Sequence, residues 1–108
     1  MTTIKFKKKD GQILFLSLKD HAGFGESGED IVCAALSVLS QAMIIGIEEV
    51  LKFNLKYELQ DGFLELNISE NTLEEIESCQ VLLHTMLKTV ESMIISYGDY
   101  INLEIEEV

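Results

Sequence analysis

Apolar and polar residues alternate over residues 3 to 9 and again over 12 to 19, a period of two that predicts a pair of half-buried strands. Asp10-Gly11 between them is a strong two-residue hairpin signal, and Ile4 and Phe6 mark the inward face of the first strand. The design repeats over 53 to 60 and 63 to 68: Phe53, Leu55, Tyr57 and Leu59 share one face, Asp61-Gly62 forms the turn, and Leu64, Leu66 and Ile68 return. After each hairpin the period changes to that of a helix. The first helix is predicted over about 30 to 52, with Asp30 as its N-cap. The second is predicted over about 72 to 96, where Asn71 or Thr72 can cap and Glu74 or Glu75 can close a capping box. Along it Leu73, Ile76, Leu83, Met86 or Leu87, Val90 and Met93 or Ile94 recur as a packing stripe. A last alternation over 100 to 106 predicts a fifth strand.

The predicted order is therefore ββαββαβ, an α+β domain with two helices packed on a mostly antiparallel, mixed sheet. At 108 residues, with no proline and no low-complexity tract, the whole chain reads as a single domain.

Charge narrows the partners. The net charge is −11, and all eight basic residues are lysines, so no arginine is available to read bases or clamp phosphates bidentately; nucleic acid is an unsuitable partner. Five lysines (Lys5, Lys7, Lys8, Lys9, Lys19) fall in the first hairpin and Glu104, Glu106 and Glu107 crowd the C-terminal strand. The lysines read as a solvated face that resists aggregation. A mean hydropathy of +0.20 is high for so short a chain, which points to apolar surface covered by a second copy. The uncharged run over 31 to 47 sits at the short limit for a membrane span and contains Ser37, Ser40 and Gln41, so it is read as a buried central helix. No secretory leader pattern is seen, and a cytoplasmic location is expected. Two cysteines in a reducing compartment predict free thiols, and neither has zinc-site spacing, so no metal and no cofactor are expected.

The candidate chemistry lies between the first hairpin and the first helix, in Asp20 His21 Ala22 Gly23 Phe24 Gly25 Glu26 Ser27 Gly28 Glu29 Asp30 Ile31 Val32 Cys33 Ala34 Ala35 Leu36 Ser37. A helix opening near Asp30 would put Cys33 in the first turn, where free backbone N–H groups and the macrodipole favour thiolate and could hold an oxyanion. His21 across the loop is a base that can take the thiol proton and return it to a leaving amine. Ser37, one turn after Cys33, shares its side of the helix. Gly23, Gly25 and Gly28 would let the loop cover an empty site and reorder around a peptide. No Asp or Asn stands out as a third member, so a Cys/His dyad is expected. Asp20 adjoins His21 without a clear direction. Cys79 and His84 lie five residues apart on the second helix, roughly 140° around it, and cannot cooperate.

Two other readings fit the same residues. Gly23 Phe24 Gly25 Glu26 Ser27 Gly28 formally satisfies GxGxxG, which would make a phosphate- or nucleotide-binding module; a hairpin in place of a βαβ unit, and Glu26 against a pyrophosphate, speak against it. Alternatively, Cys33 is inert in a small, non-catalytic binding domain.

The segment from His21 to Ser37, with His-Ala, a glycine-rich spacer and then Gly-x-Asp-Ile-Val-Cys-Ala-Ala-x-Ser, resembles the signature of the ribosomal-processing cysteine protease family, Prp. The resemblance implies that His21 and Cys33 are the catalytic pair. It implies removal of the N-terminal extension of the large-subunit ribosomal protein L-twenty-seven, by cleavage after a hydrophobic and aromatic stretch ending in Ala. It also implies a homodimer.

Overall fold

In a computed structural model, which describes residues 1–20 and 27–108, the elements run β1 (Thr2–Lys9), β2 (Gln12–Asp20), α1 (Ser27–Ile45), β3 (Lys56–Gln60), β4 (Phe63–Asn67), α2 (Leu73–Ser78), α3 (Gln80–Tyr97) and β5 (Ile101–Glu107). They build the expected α+β domain: one five-stranded sheet in the order β3-β4-β2-β1-β5, covered by the helices. Three of its pairings are antiparallel, and β5 joins β1 in parallel.

The first hairpin closes at Asp10 (φ +51°) and Gly11 (φ +82°), the left-handed pair that a two-residue turn between twisted strands requires. A bulge at Leu14, where Lys7 pairs with Phe15 but Lys8 with Ile13, lets both Ile13 and Leu16 face the core. Ile4, Phe6, Leu16, Leu18, Leu64 and Leu66 form the floor of that core, and Val32, Leu36, Ile47, Leu83, Met86 and Val90 come down on it from the helices. On the outer face the lysines and glutamates that are separate in the sequence meet: Lys5 Nζ lies 2.8 Å from Glu106, and Lys7 Nζ lies 4.4 Å from the centre of the Phe15 ring.

Several boundaries differ from the expectation, each for a physical reason. Helix α1 begins at Ser27, so Asp30 is an exposed residue at the end of its first turn and not its cap. At Gly46 the helix widens into a π turn (Gly46–Val50); a Cβ there would come within 2.8 Å of the Leu82 side chain, so glycine permits the close crossing of α3. Lys52, at φ +61°, reverses the chain, and the Phe53 amide donates to the Ile47 carbonyl at 3.2 Å. Phe53 and Leu55 thus belong to the exit of the helix, and β3 starts at Lys56. Tyr57 and Leu59 share the inward side with their β4 partners Leu66 and Leu64, but on this edge strand they are about half exposed.

The second helix is two. Thr72 and Glu75 form the expected capping box, at 3.1 and 3.2 Å, but α2 stops at Cys79. There the Gln80 amide accepts from the Ile13 N–H at 2.7 Å and donates to the carbonyls of Ile13 and Ile76 at 2.9 and 3.0 Å. This side chain staples the break to the β2 bulge.

The stretch Asp30–Val50 is apolar and long enough to cross a membrane by composition. Here its Val32, Leu36, Met43, Ile44 and Ile47 lie buried against the sheet, while Ile31, Val38 and Ile45 face out.

Candidate active site

Alternation along the first hairpin fixes the direction of its end residues. Thr2 pairs with Asp20 across β1 and β2, as Ile4 pairs with Leu18 and Phe6 with Leu16, and all of these share the helix-facing side of the sheet. Thr2 is fully buried there. The backbone of Asp20 is held by its N–H, which donates to the Gly62 carbonyl at 2.9 Å, so the turn of the second hairpin braces the end of β2.

Onto this end of the sheet α1 brings Cys33, half-buried between the core residue Val32 and the exposed Ala34. Four groups from three elements therefore converge: the Cys33 thiol and Ser37 hydroxyl from α1, the Thr2 hydroxyl from β1 and the Asp20 carboxylate from β2. Partial burial pushes the thiol above its ordinary range, and the neighbouring Asp20 carboxylate, which accepts from the thiol and repels the thiolate, pushes in the same direction. The hydroxyls of Thr2 and Ser37 oppose this by donating to the charged form.

Two expectations change. Since α1 starts at Ser27, Cys33 lies in its second turn, where the N–H is taken up by the helix ladder. The free amides of a helix terminus neither acidify this thiol nor offer it an oxyanion hole. Gly28, expected in the flexible loop, is in the first turn of α1. His21, Gly23 and Gly25 lie outside the described residues.

One helical turn beyond Cys33, Ser37 and Gln41 form one wall of a cleft of about 220 Å³ between α1 and the second hairpin. Leu18 and Leu64 floor it, and Leu59, Gln60, Asp61, Gly62 and Phe63 complete its rim. Open and mixed in polarity, the cleft can accept a side chain of an extended chain that passes the thiol. The other cysteine has no such setting. Cys79 is fully buried, its thiol donates to the Ile76 carbonyl at 3.3 Å, and burial pushes it up to about 11. His84 instead meets the Gly11 carbonyl at 3.1 Å, at the tip of the first hairpin. Among the described residues no three His, Cys, Asp or Glu side chains gather as a metal site.

No sequence motif singles out Thr2, and Asp20 stands out only as the neighbour of His21. The signal for both was present: Thr2, Ile4 and Phe6, like Leu16, Leu18 and Asp20, have the same parity along their strands.

Residues 1–102 match the family model for the cysteine protease Prp. The chain belongs to that family. The protein is thus a cysteine protease of the Prp type. Solved structures agree with this in fold. The Streptococcus mutans protein SMU.848 superposes with a TM-score of 0.87 at 25% identity, over 100% of this chain and 99% of that one. An essential ribosomal processing protease Prp from Staphylococcus aureus, in complex with a substrate peptide, gives 0.84 at 23% identity over 98% and 100%. The same S. aureus enzyme with a covalently linked product peptide gives 0.78 at 25% identity, again over 98% and 100%. No curated protein matches the chain. A Prp-type protease needs a thiol that an extended peptide can reach, and of the two thiols here Cys33 is the one at the surface.

Proposed function

We propose that this Prp-family chain is an endopeptidase in which Cys33 is the nucleophile and His21 the general base and acid, and that it removes the N-terminal extension of ribosomal protein L-twenty-seven during ribosome assembly. The observation that carries the reading is the half-buried thiol of Cys33 at the junction of α1, β1 and β2, beside a cleft. His21 follows Asp20 directly in the chain, and Asp20 is the residue whose carboxylate acts on that thiol. In the cycle His21 takes the Cys33 proton and the thiolate adds to the scissile carbonyl carbon. The C–N bond then breaks as His21 returns the proton to the leaving amine, which leaves a thioester for water to hydrolyse. A product peptide covalently linked to the S. aureus enzyme supports this covalent route. Ser37 and the cleft contact the peptide, and Gly23 and Gly25 are assigned to the same substrate-binding side of the site. No metal and no cofactor take part in this scheme.

The test is incubation of the purified protein with the L-twenty-seven precursor, read by intact mass beside Cys33→Ala and His21→Ala controls. Loss of one defined N-terminal peptide with wild type alone is the expected result. An intact precursor beside folded, reduced enzyme overturns the substrate assignment and leaves a Prp-type protease that acts on another substrate.

We infer a cytoplasmic homodimer as the working form. Ile31, Val38 and Ile45 are 65%, 67% and 51% exposed and recur every seven residues along α1, with exposed Ala34, Ala35 and Ala42 between them. That seam resembles the contact stripe of paired helices. Sedimentation at micromolar concentration should show a dimer that Val38→Asp dissociates.

A further inference from the structure

The Thr2 hydroxyl is an anomaly in an otherwise well-satisfied interior. Its Oγ1 is buried and has no hydrogen-bond partner among the described residues, a condition that costs stability unless something supplies an acceptor. Its cross-strand neighbour, Asp20, carries the opposite capacity, a carboxylate that only accepts. The Cys33 thiol, carried by α1, interacts with both. A neutral thiol can donate to Asp20 but is a poor acceptor for Thr2, whereas a thiolate accepts from Thr2 and repels Asp20. Each partner therefore fits one protonation state of the sulfur.

We propose that Thr2 and Asp20 are opposed positioning residues for Cys33: the carboxylate of Asp20 holds the resting thiol, and the buried hydroxyl of Thr2 is kept without a partner until the sulfur becomes an acceptor. The inference rests on the reading of Cys33 as the nucleophile. When the proton leaves Cys33, the S–H···O contact to Asp20 is lost and an O–H···S⁻ contact from Thr2 forms. The sulfur is thereby handed from the β2 side of the hairpin to the β1 side, and the unmet donor is satisfied in the state that attacks. The raised affinity of Cys33 for its proton, traced to burial and then Asp20 with Thr2 and Ser37 opposing, agrees with this arrangement.

Other groups around the sulfur can be named. Ser37, on α1, acts in the same sense as Thr2. Asp30, on the same helix, is exposed, as is about half of Met1, whose α-ammonium is one residue from Thr2. Asp61, at the rim of the cleft, shares that cleft with Ser37. His21 lies outside the described residues.

The experiment is the rate of alkylation of Cys33 by iodoacetamide between about pH 5 and about pH 11, followed by peptide-resolved mass spectrometry so that Cys33 and Cys79 are read separately. It uses the full chain as wild type, Thr2→Val, Thr2→Ser and Asp20→Asn. Thr2→Val should move the midpoint up and slow the reaction at neutral pH about tenfold, the scale of one hydrogen bond to a charged group. Thr2→Ser, which restores the donor, should return the rate to within about twofold of wild type. Asp20→Asn should move the midpoint down and speed the reaction at least about threefold. Because a partnerless buried hydroxyl is removed, Thr2→Val should melt no lower than wild type, which separates this role from a structural one. A midpoint that stays in place in either folded variant, or moves the same way in both, overturns the proposal. Should Thr2→Val fail to fold, Asp20→Asn decides alone by the direction of its shift. No peptide cleavage enters this readout, so failure of the L-twenty-seven assignment would appear in the precursor assay and leave these midpoints standing.

Discussion

The two free thiols of this chain sit on helices that pack on the same face of one sheet, yet their surroundings are opposite in kind. Cys79 is sealed in the aliphatic core at the break between α2 and α3, and its S–H is spent on the carbonyl of its own helix. Cys33 lies half-open among two hydroxyls and a carboxylate, with a cleft beginning one turn away. Burial raises both, but only Cys33 has side chains beside it, Asp20, Thr2 and Ser37, that act on its protonation. Residue type therefore says little about which cysteine works; the neighbours supplied by strands far away in sequence say most.

Exchanging the roles of the two thiols is the strongest way to break this comparison. Cys33→Ala should lower precursor cleavage at least about a thousandfold, whereas Cys79→Ala should keep kcat/KM within about twofold and cost about 1 kcal/mol of stability through the small cavity it leaves. Chemical denaturation and a cleavage assay on both variants separate the effects. Next in size, removal of the Gln80 staple by Gln80→Ala should cost about 1–3 kcal/mol, since the polar groups of Ile13 lose a partner in a part-buried site; urea unfolding reads it. Cleavage should persist, because that staple belongs to the Cys79 region.

The alkaline limb sharpens the comparison further. For Cys79 the folded-state value, about 11, stands above the ordinary 9.0, so the neutral thiol favours folding below about pH 9 and that contribution is lost as pH rises toward 11. Urea midpoints at about pH 8 and about pH 10.5 should differ more in wild type than in Cys79→Ala. The smallest effect belongs to the outer face. Lys5 and Glu106 each hold the other in its charged form, Glu106 below its usual range, so the pair helps above that range and lapses on acidification. Both side chains are well exposed, and Lys5→Met should shift the melting temperature by no more than the scatter of the measurement.

Much of the architecture was legible because its signals are local. Asp10-Gly11 and Asp61-Gly62 mark their turns through the left-handed glycines they need, and the Thr72 box lies within four residues. What escaped has tertiary causes. Nothing in 72 to 96 breaks the helical period, and the interruption at Cys79 exists because Gln80 reaches a strand 67 residues away. The exposure of Tyr57 and Leu59 follows from β3 lying at the sheet edge, which alternation along one strand cannot show. At the site, Cys33 could be found from its motif, but a shift of three residues in the start of α1 removed the helix-terminus argument for its reactivity. Thr2 and Asp20 could have been found by counting parity along the first hairpin.

The parallel seating of β5 beside β1 has a consequence for how the protein is made. Thr2 pairs with Ile101, so the strand that carries the buried hydroxyl is completed on its open side by residues translated 99 positions later. While the chain is still being synthesised, the first hairpin and α1 can assemble with β1 as a bare edge. A sheet whose oldest and youngest strands must meet forms slowly and late, since long-range pairing comes at a high loop-closure cost. The surroundings of Cys33 are thus finished only when β5 has left the ribosome, and a nascent chain truncated before β5 lacks the completed site.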